Sequence, residues 1–125
     1  MSDLKFTKDH EAIYIEGEVA YVGITEYARE ALGDLVFVEL PDVGASFNKG
    51  DSFAVVESVK TAADVYTPVS GEVVEANDAM PDDLDMIAKS LADGGWIAKI
   101  KMSDAAQLDG LMDEAAYADY LKTLD

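Results

Sequence analysis

Short runs of β-branched and aromatic residues recur along the chain, and glycine or proline separates one run from the next. Residues 12–15 and 19–22 flank Gly17 at a spacing that predicts a β-hairpin. Similar runs follow, and we expect strands at 36–40, 52–59, 62–67, 72–76 and 96–101. About seven short strands of this kind predict an all-β sandwich or flattened barrel.

Helical patterns are short and fall mainly in the last third of the chain. Thr25 and Gly33 are typical first and last caps of a helix over residues 26–32. Apolar residues at helical spacing predict a second helical face over 80–91, ended by Gly94. After the last strand, Ser103 is the expected cap of a final helical region that reaches Leu124.

Charge and composition exclude several classes of function. The 26 acidic and nine basic residues give a net charge of −17, which repels nucleic acid and anionic membrane surfaces. The chain has no cysteine and one histidine, so disulfides, thiolate metal sites and cysteine nucleophiles are excluded. No apolar stretch approaches the roughly 18 residues of a spanning helix, and no signal or transit peptide is evident. We therefore expect one cytoplasmic domain over 1–125, acting as a monomer.

Lys60 lies between two predicted strands, at the tip of a second hairpin. A turn-plus-strand pattern precedes it at 49–57 and follows it at 70–76. This repeat suggests two small sheets related by an approximate twofold axis, with Lys60 exposed near the tip. From the pattern alone, Lys60 is either an ordinary solvated residue or one with a special role.

The segments around Lys60 carry a family resemblance. They read Val-Val-Glu-Ser-Val-Lys at 55–60, Ala-Ala-Asp-Val-Tyr at 62–66 and Pro-Val-Ser-Gly-Glu-Val at 68–73. These segments resemble the lipoylation segment of the glycine cleavage system H-protein family, and the resemblance continues at 22–28, 32–41, 43–44, 49–51, 95–96 and 100–101. It implies a flattened β-sandwich, a barrel-sandwich hybrid of the biotinyl/lipoyl-carrier type, with C-terminal helices.

The same resemblance implies a carrier protein without catalytic activity of its own. Lipoate would be amide-linked to Lys60 by a lipoate ligase or octanoyltransferase, with Glu57 and Gly71 serving recognition. A pyridoxal-phosphate glycine decarboxylase would load an aminomethyl group on the lipoyl sulfur. An aminomethyltransferase would then pass the carbon to tetrahydrofolate, and dihydrolipoyl dehydrogenase would reoxidise the dithiol.

Some positions depart from the family pattern. His-Glu-Trp is replaced by His10, Glu11 and Ala12, and the expected Asn-Pro and Pro-Tyr signals are missing between residues 80 and 93. Glu11 is then either a contact for the cationic amine on the arm or a solvated acid, and the missing indole predicts that it is wetter. His10 is expected to pack or cap rather than to transfer protons.

The residues around Lys60 can be compared with those of other lysine-bearing proteins. The departures from the family pattern suggest one alternative, an H-protein-like paralogue that acts as a lipoyl relay or as substrate of another modifying enzyme. A biotin carrier would place methionine beside the lysine, where this chain has Val59 and Thr61. Lipoyl domains of 2-oxoacid dehydrogenases use an Asp-Lys-Ala setting and flexible linkers. A Schiff-base enzyme would need a desolvated lysine, which a hairpin tip does not provide.

Overall fold

The computed structural model describes residues 4–89, 91 and 94–124, which form nine strands, two α-helices and short 3₁₀ helices. The strands are β1 Leu4–Phe6, β2 Glu11–Glu16, β3 Val19–Ile24, β4 Leu35–Glu39, β5 Ser46–Phe47, β6 Ser52–Ser58, β7 Ala62–Tyr66, β8 Gly71–Ala76 and β9 Ala98–Met102. The α-helices are α1 Glu26–Leu32 and α2 Glu114–Lys122. The 3₁₀ helices span Met80–Asp82, Leu84–Ala88 and Ala105–Gly110.

The strands form two antiparallel sheets. One has six strands in the order β1-β2-β3-β9-β8-β5, and the other has three in the order β4-β6-β7. Alternate side chains of both sheets are fully buried in one core cluster, among them Ile13, Val22, Val73 and Ile100 from the larger sheet and Val38 and Val56 from the smaller. The predicted mainly-β sandwich with short helices is confirmed. The two repeated units lie in different sheets, β6 in the smaller and β8 in the larger, and these sheets are unequal in size.

The first hairpin and first helix follow the local signals of the sequence. Gly17 has a φ of 62°, which suits glycine in the tight turn between β2 and β3. Thr25 Oγ1 accepts a hydrogen bond from the Ala28 N–H at 3.2 Å, and Gly33 ends α1 with a φ of 81°. Both caps of this helix are confirmed.

The second hairpin, β6–β7, is built by the alternation of its side chains. Ala54, Val56 and Ser58 point into the core and are buried, whereas Val55 and Glu57 between them are half-buried on the outer face. β7 pairs with β6 from Ser52 to Glu57, so the turn between them spans residues 59–61. Lys60 is at the centre of that turn, as predicted.

The helical expectations for the last third were partly wrong. The apolar positions Met80, Ile87 and Leu91 are buried as predicted, but Met80 and Ile87 belong to two separate 3₁₀ helices rather than to one continuous helix. Pro81 lies in the first turn, and Asp83 has a non-helical φ of −146°, which interrupts the helix. Residues 90, 92 and 93, part of the segment that departs from the family, lie outside the described residues.

The cap predicted at Ser103 is also wrong. Asp104 caps the 3₁₀ helix that follows, because its carboxylate accepts a hydrogen bond from the Ala106 N–H at 3.1 Å. A separate cap, Asp113, begins α2 by accepting from the Ala116 N–H at 2.8 Å. The final helical region is therefore two helices.

No helix in the described part of the chain is long and apolar enough to cross a membrane.

Candidate functional site

Lys60 is exposed at the tip of the β6–β7 hairpin, which is anchored to the end of α1. The Val59 N–H donates to the Asp34 carbonyl at 3.0 Å. A Cβ built on Gly33 would lie 3.9 Å from Lys60 Cε, so the lysine stem passes close to the last turn of α1. Its amine therefore stands on a fixed turn and faces solvent.

Ser58 holds the turn that presents Lys60. Its Oγ accepts from the N–H groups of Lys60 at 3.3 Å and Thr61 at 3.2 Å, and donates to the Thr61 carbonyl at 3.1 Å. The Ser58 side chain is itself buried. Sequence reasoning missed this residue, although a serine two positions before a tip residue is a known turn former.

Glu57 shares the hairpin with Lys60. It lies on the outer face of the three-stranded sheet, opposite Phe37 of β4 and Ala62 of β7. Phe37 is 44% exposed. The structure thus places a carboxylate and an exposed aromatic ring on the face that leads to the lysine.

Gly71 lies in the other sheet, between β5 and β9. A Cβ at this position would be 2.1 Å from the Lys101 carbonyl oxygen and 2.8 Å from Ile100 Cγ2. Only glycine therefore fits between the strands. This steric requirement is a sufficient reason for glycine at 71, and the fold does not join this residue to the Lys60 turn.

A cavity of about 190 Å³ lies between α1 and the β6–β7 hairpin, and we call it the α1 cleft. One wall is α1 and the other is formed by β6 and β7, with residues 9–11 at the end near the start of the helix. Lys60 lies near the end of α1 and residues 9–11 lie near its start, so the helix runs from one to the other. The walls are largely apolar, through Tyr27, Ala28, Ala31, Leu32, Val56, Ala63 and Val65.

Glu11 is a buried acid that lines this cleft near the start of α1. It is only 4% exposed, and Thr7 Oγ1 donates to its carboxylate at 2.8 Å. Burial raises the pKa of Glu11 to about 7, with a smaller upward contribution from Asp9, while hydrogen bonds from Thr7 and the backbone of Tyr66 oppose the rise. Of the two alternatives for Glu11, the solvated acid is wrong, because the side chain is buried and is hydrogen-bonded to Thr7 and to the backbone of Tyr66 in β7.

His10 precedes Glu11 and is fixed by contacts with both helices. Its φ of 69° is the one positive value at a non-glycine position in the described chain. Its ring lies 4.3 Å from that of Tyr27, and its Nδ1 is hydrogen-bonded to the Tyr117 hydroxyl at 2.8 Å. Burial lowers the pKa of His10, partly offset by Asp9. The packing role predicted for His10 is confirmed, but its partner on α2 was not foreseen.

The site suits a tethered, partly apolar group with a cationic end. A long acyl arm on Lys60 would find an apolar surface along α1, and a buried carboxylate can receive an ammonium at the far end. Asp64 and Asp9 also line the α1 cleft and add to its negative potential.

Comparison with known proteins agrees with this geometry. The family model described as glycine cleavage H-protein matches residues 4–124. A glycine cleavage system H protein of Beijerinckia indica is 55% identical over 124 residues, covering 99% of this chain and all of the relative. The glycine cleavage system H protein of Caulobacter vibrioides is 53% identical over 124 residues, covering 97% of this chain and all of the relative.

A solved structure has the same fold. The crystal structure of a glycine cleavage system H protein from Mycobacterium marinum superposes with a TM-score of 0.85 at 39% identity, covering 98% of both chains. The relay alternative has no support among these relatives.

Proposed function

The chain belongs to the glycine cleavage H-protein family, and we propose that it is the lipoyl shuttle of the glycine cleavage system with its lipoyl group on Lys60. The observation that supports attachment at Lys60 is its position, exposed on a fixed hairpin tip beside the last turn of α1. We further propose that the protein acts in the cytoplasm as one carrier domain and not as an enzyme.

Attachment uses the Lys60 amine as a nucleophile. The deprotonated Nζ forms an amide with an activated acyl carbonyl, the activating group leaves, and the positive charge of the lysine is lost. The formal net charge then changes from −17 to −18. A lipoate ligase or octanoyltransferase would read the hairpin itself, with Glu57 on its outer face as the recognition acid.

A proposed role for Gly71 in lipoylation is indirect. Its missing Cβ lets β8 pair closely with β9, and this pairing keeps the larger sheet intact behind the hairpin. Any substitution at 71 would therefore impair lipoylation through the fold.

The α1 cleft is the resting place that we propose for the arm between enzyme visits. When attached, the lipoyl group supplies the dithiolane sulfurs that this cysteine-free chain lacks and carries the aminomethyl group. The apolar walls exclude water from the end of the arm. Glu11 receives the cationic amine, and the approach of a positive charge favours the ionised carboxylate and lowers its pKa.

The partners of this cycle follow from the same assignment. They are a pyridoxal-phosphate glycine decarboxylase, an aminomethyltransferase and dihydrolipoyl dehydrogenase. Each needs the arm to leave the α1 cleft and enter its own active site, so the contacts of the arm with the carrier must be weak enough to exchange.

The test is lipoylation followed by exchange. Protein treated with a lipoate ligase, lipoate and ATP should gain the mass of one lipoyl group, and the gain should disappear in Lys60→Arg but persist in Lys49→Arg. The lipoylated protein should then support exchange of labelled bicarbonate into glycine with a cognate decarboxylase. Peptide mapping that puts the lipoyl group on another of the eight lysines would contradict the site. Lipoylated protein that supports no exchange would contradict the function.

A further inference from the structure

The C-terminal helix α2 contacts His10 and Thr25, beside the α1 cleft, through one buried side chain. Tyr117 is 6% exposed, and its ring stacks on Phe6 at 4.6 Å with the planes 10° apart. Its hydroxyl donates to Thr25 Oγ1 at 2.8 Å and is hydrogen-bonded to His10 Nδ1 at 2.8 Å. Burial raises the pKa of Tyr117, which keeps its proton available for donation.

Both partners of this hydroxyl control a wall of the cleft. Thr25 is the N-cap of α1, whose side chains form one wall. His10 is joined directly to Glu11, and its carbonyl accepts from the Thr25 N–H at 2.9 Å. One hydroxyl therefore fixes the start of the helix and the residue beside the buried carboxylate.

His10 also needs an external constraint. A positive φ costs a residue with a Cβ about 1–3 kcal/mol, and such a conformation persists only where neighbouring contacts hold it. Ring contact with Tyr27 and the hydrogen bond to Tyr117 supply those contacts. The direction in which Glu11 leaves the turn depends on them.

We propose that Tyr117 is a positioning residue for the loaded arm: its hydroxyl, held between His10 and Thr25, sets Glu11 and α1 in the arrangement that retains the cationic end. Tyr117 does not line the α1 cleft, so it acts through these two neighbours. The inference rests on the proposed shuttle function and extends it to a residue of α2.

The test compares two tyrosines of the same helix. Tyr117→Phe keeps the ring on Phe6 and removes the bridging hydroxyl. Tyr120→Phe is the matched control, because the Tyr120 hydroxyl donates instead to the Lys8 carbonyl, at a longer distance of 3.4 Å. Lipoylated proteins are loaded with labelled glycine by the decarboxylase and separated from it, and the loss of label is followed.

We expect Tyr117→Phe to shorten the lifetime of the loaded form about three- to tenfold, the effect of one hydrogen bond. Tyr120→Phe should match wild type, and the rate of lipoylation should be the same in all three proteins. His10→Gly is a second variant that tolerates the positive φ but has no side chain to bond the hydroxyl, and it should shorten the lifetime as well.

A second readout uses the unmodified protein. Carbon-13 NMR titration of the Glu11 carboxyl should give a lower midpoint in Tyr117→Phe than in wild type, because a looser end of the cleft admits water. The charged groups that face Glu11 are unchanged by this substitution; those lining the adjoining cavities are Asp9, His10, Asp64, Lys8 and Lys49. A midpoint and a lifetime equal to those of wild type would overturn the proposal. Wild-type protein that cannot be loaded would overturn the proposed function, and this inference with it.

Discussion

Among single residues, Glu11 links the stability of the fold to the proposed function. Its carboxylate is buried beside apolar walls and receives hydrogen bonds from Thr7 and from the backbone of Tyr66. Ionising it at this buried position is unfavourable, because a poorly polarisable environment destabilises the charged form. The free-energy cost of ionising Glu11 therefore falls when a cation is held beside it.

A pH-dependent stability follows from that burial. The pKa of Glu11 is about 7 when folded and near 4.5 in a free chain, so between these values the unfolded chain ionises while the folded chain keeps its proton. Stability falls as pH rises through this window, by up to about 3 kcal/mol. Glu11→Gln removes the titration. The free energy of unfolding of this variant should therefore rise relative to that of wild type as the pH increases from about 4.5 to about 7.

Urea denaturation at a series of pH values measures this difference. Glu57→Gln is the control, because Glu57 is only half-buried on the outer face of the small sheet. A gap between Glu11→Gln and wild type that stays constant with pH would contradict the assignment.

Among the elements, the β6–β7 hairpin carries the attachment site, and its turn is held by side-chain contacts rather than by backbone pairing alone. The Ser58 N–H donates to the Thr61 carbonyl at 2.7 Å, and the Ser58 hydroxyl accepts from the N–H groups of Lys60 and Thr61. Because the turn is rigid, a modifying enzyme meets the lysine in one orientation, which lowers the entropy cost of recognition.

Ser58→Ala should loosen this turn. The substitution leaves the N–H groups of Lys60 and Thr61 without their partner, and we expect a loss of about 1–2 kcal/mol in stability. Hydrogen exchange at those two amides should accelerate and lipoylation should slow. Thr61→Ala is the matched control, since its hydroxyl makes only a 3.4 Å contact with the adjacent carbonyl. Unchanged exchange in Ser58→Ala would show that the hydroxyl does not hold the turn.

At the scale of the whole molecule, charge dominates. Nine basic residues can neutralise at most nine of the 26 acids, so the surface is strongly negative whatever the pairing. A shuttle must meet its enzymes quickly and leave them again, and long-range attraction raises the association rate without requiring a large apolar interface.

Association with the partner enzymes should therefore be weak and sensitive to salt. The Debye length falls from about 8 Å at 0.15 M salt to about 3 Å at 1 M, which removes most of this attraction. The association rate measured by stopped-flow should drop steeply over that range, while dissociation changes little. Tight binding that is independent of salt would contradict this expectation.

The sequence by itself determined those features that depend on neighbours along the chain. Thr25 and Gly33 gave the bounds of α1, and the two strand runs around residue 60 located the hairpin tip. Caps and turns are made by side chains within a few residues of each other, so their signals are local. Around residues 81–83 and 103–104 such local signals competed, and there the expected helices were wrong.

Only the tertiary structure decided how the site is enclosed. The burial of Glu11 depends on α1 and β7, the need for glycine at 71 depends on a carbonyl of β9, and the bond between His10 and Tyr117 joins residues 107 positions apart. Desolvation, steric exclusion and long-range hydrogen bonds arise only when distant segments meet in space. A single sequence contains the residues that make these interactions, but it does not show which of them are close in space.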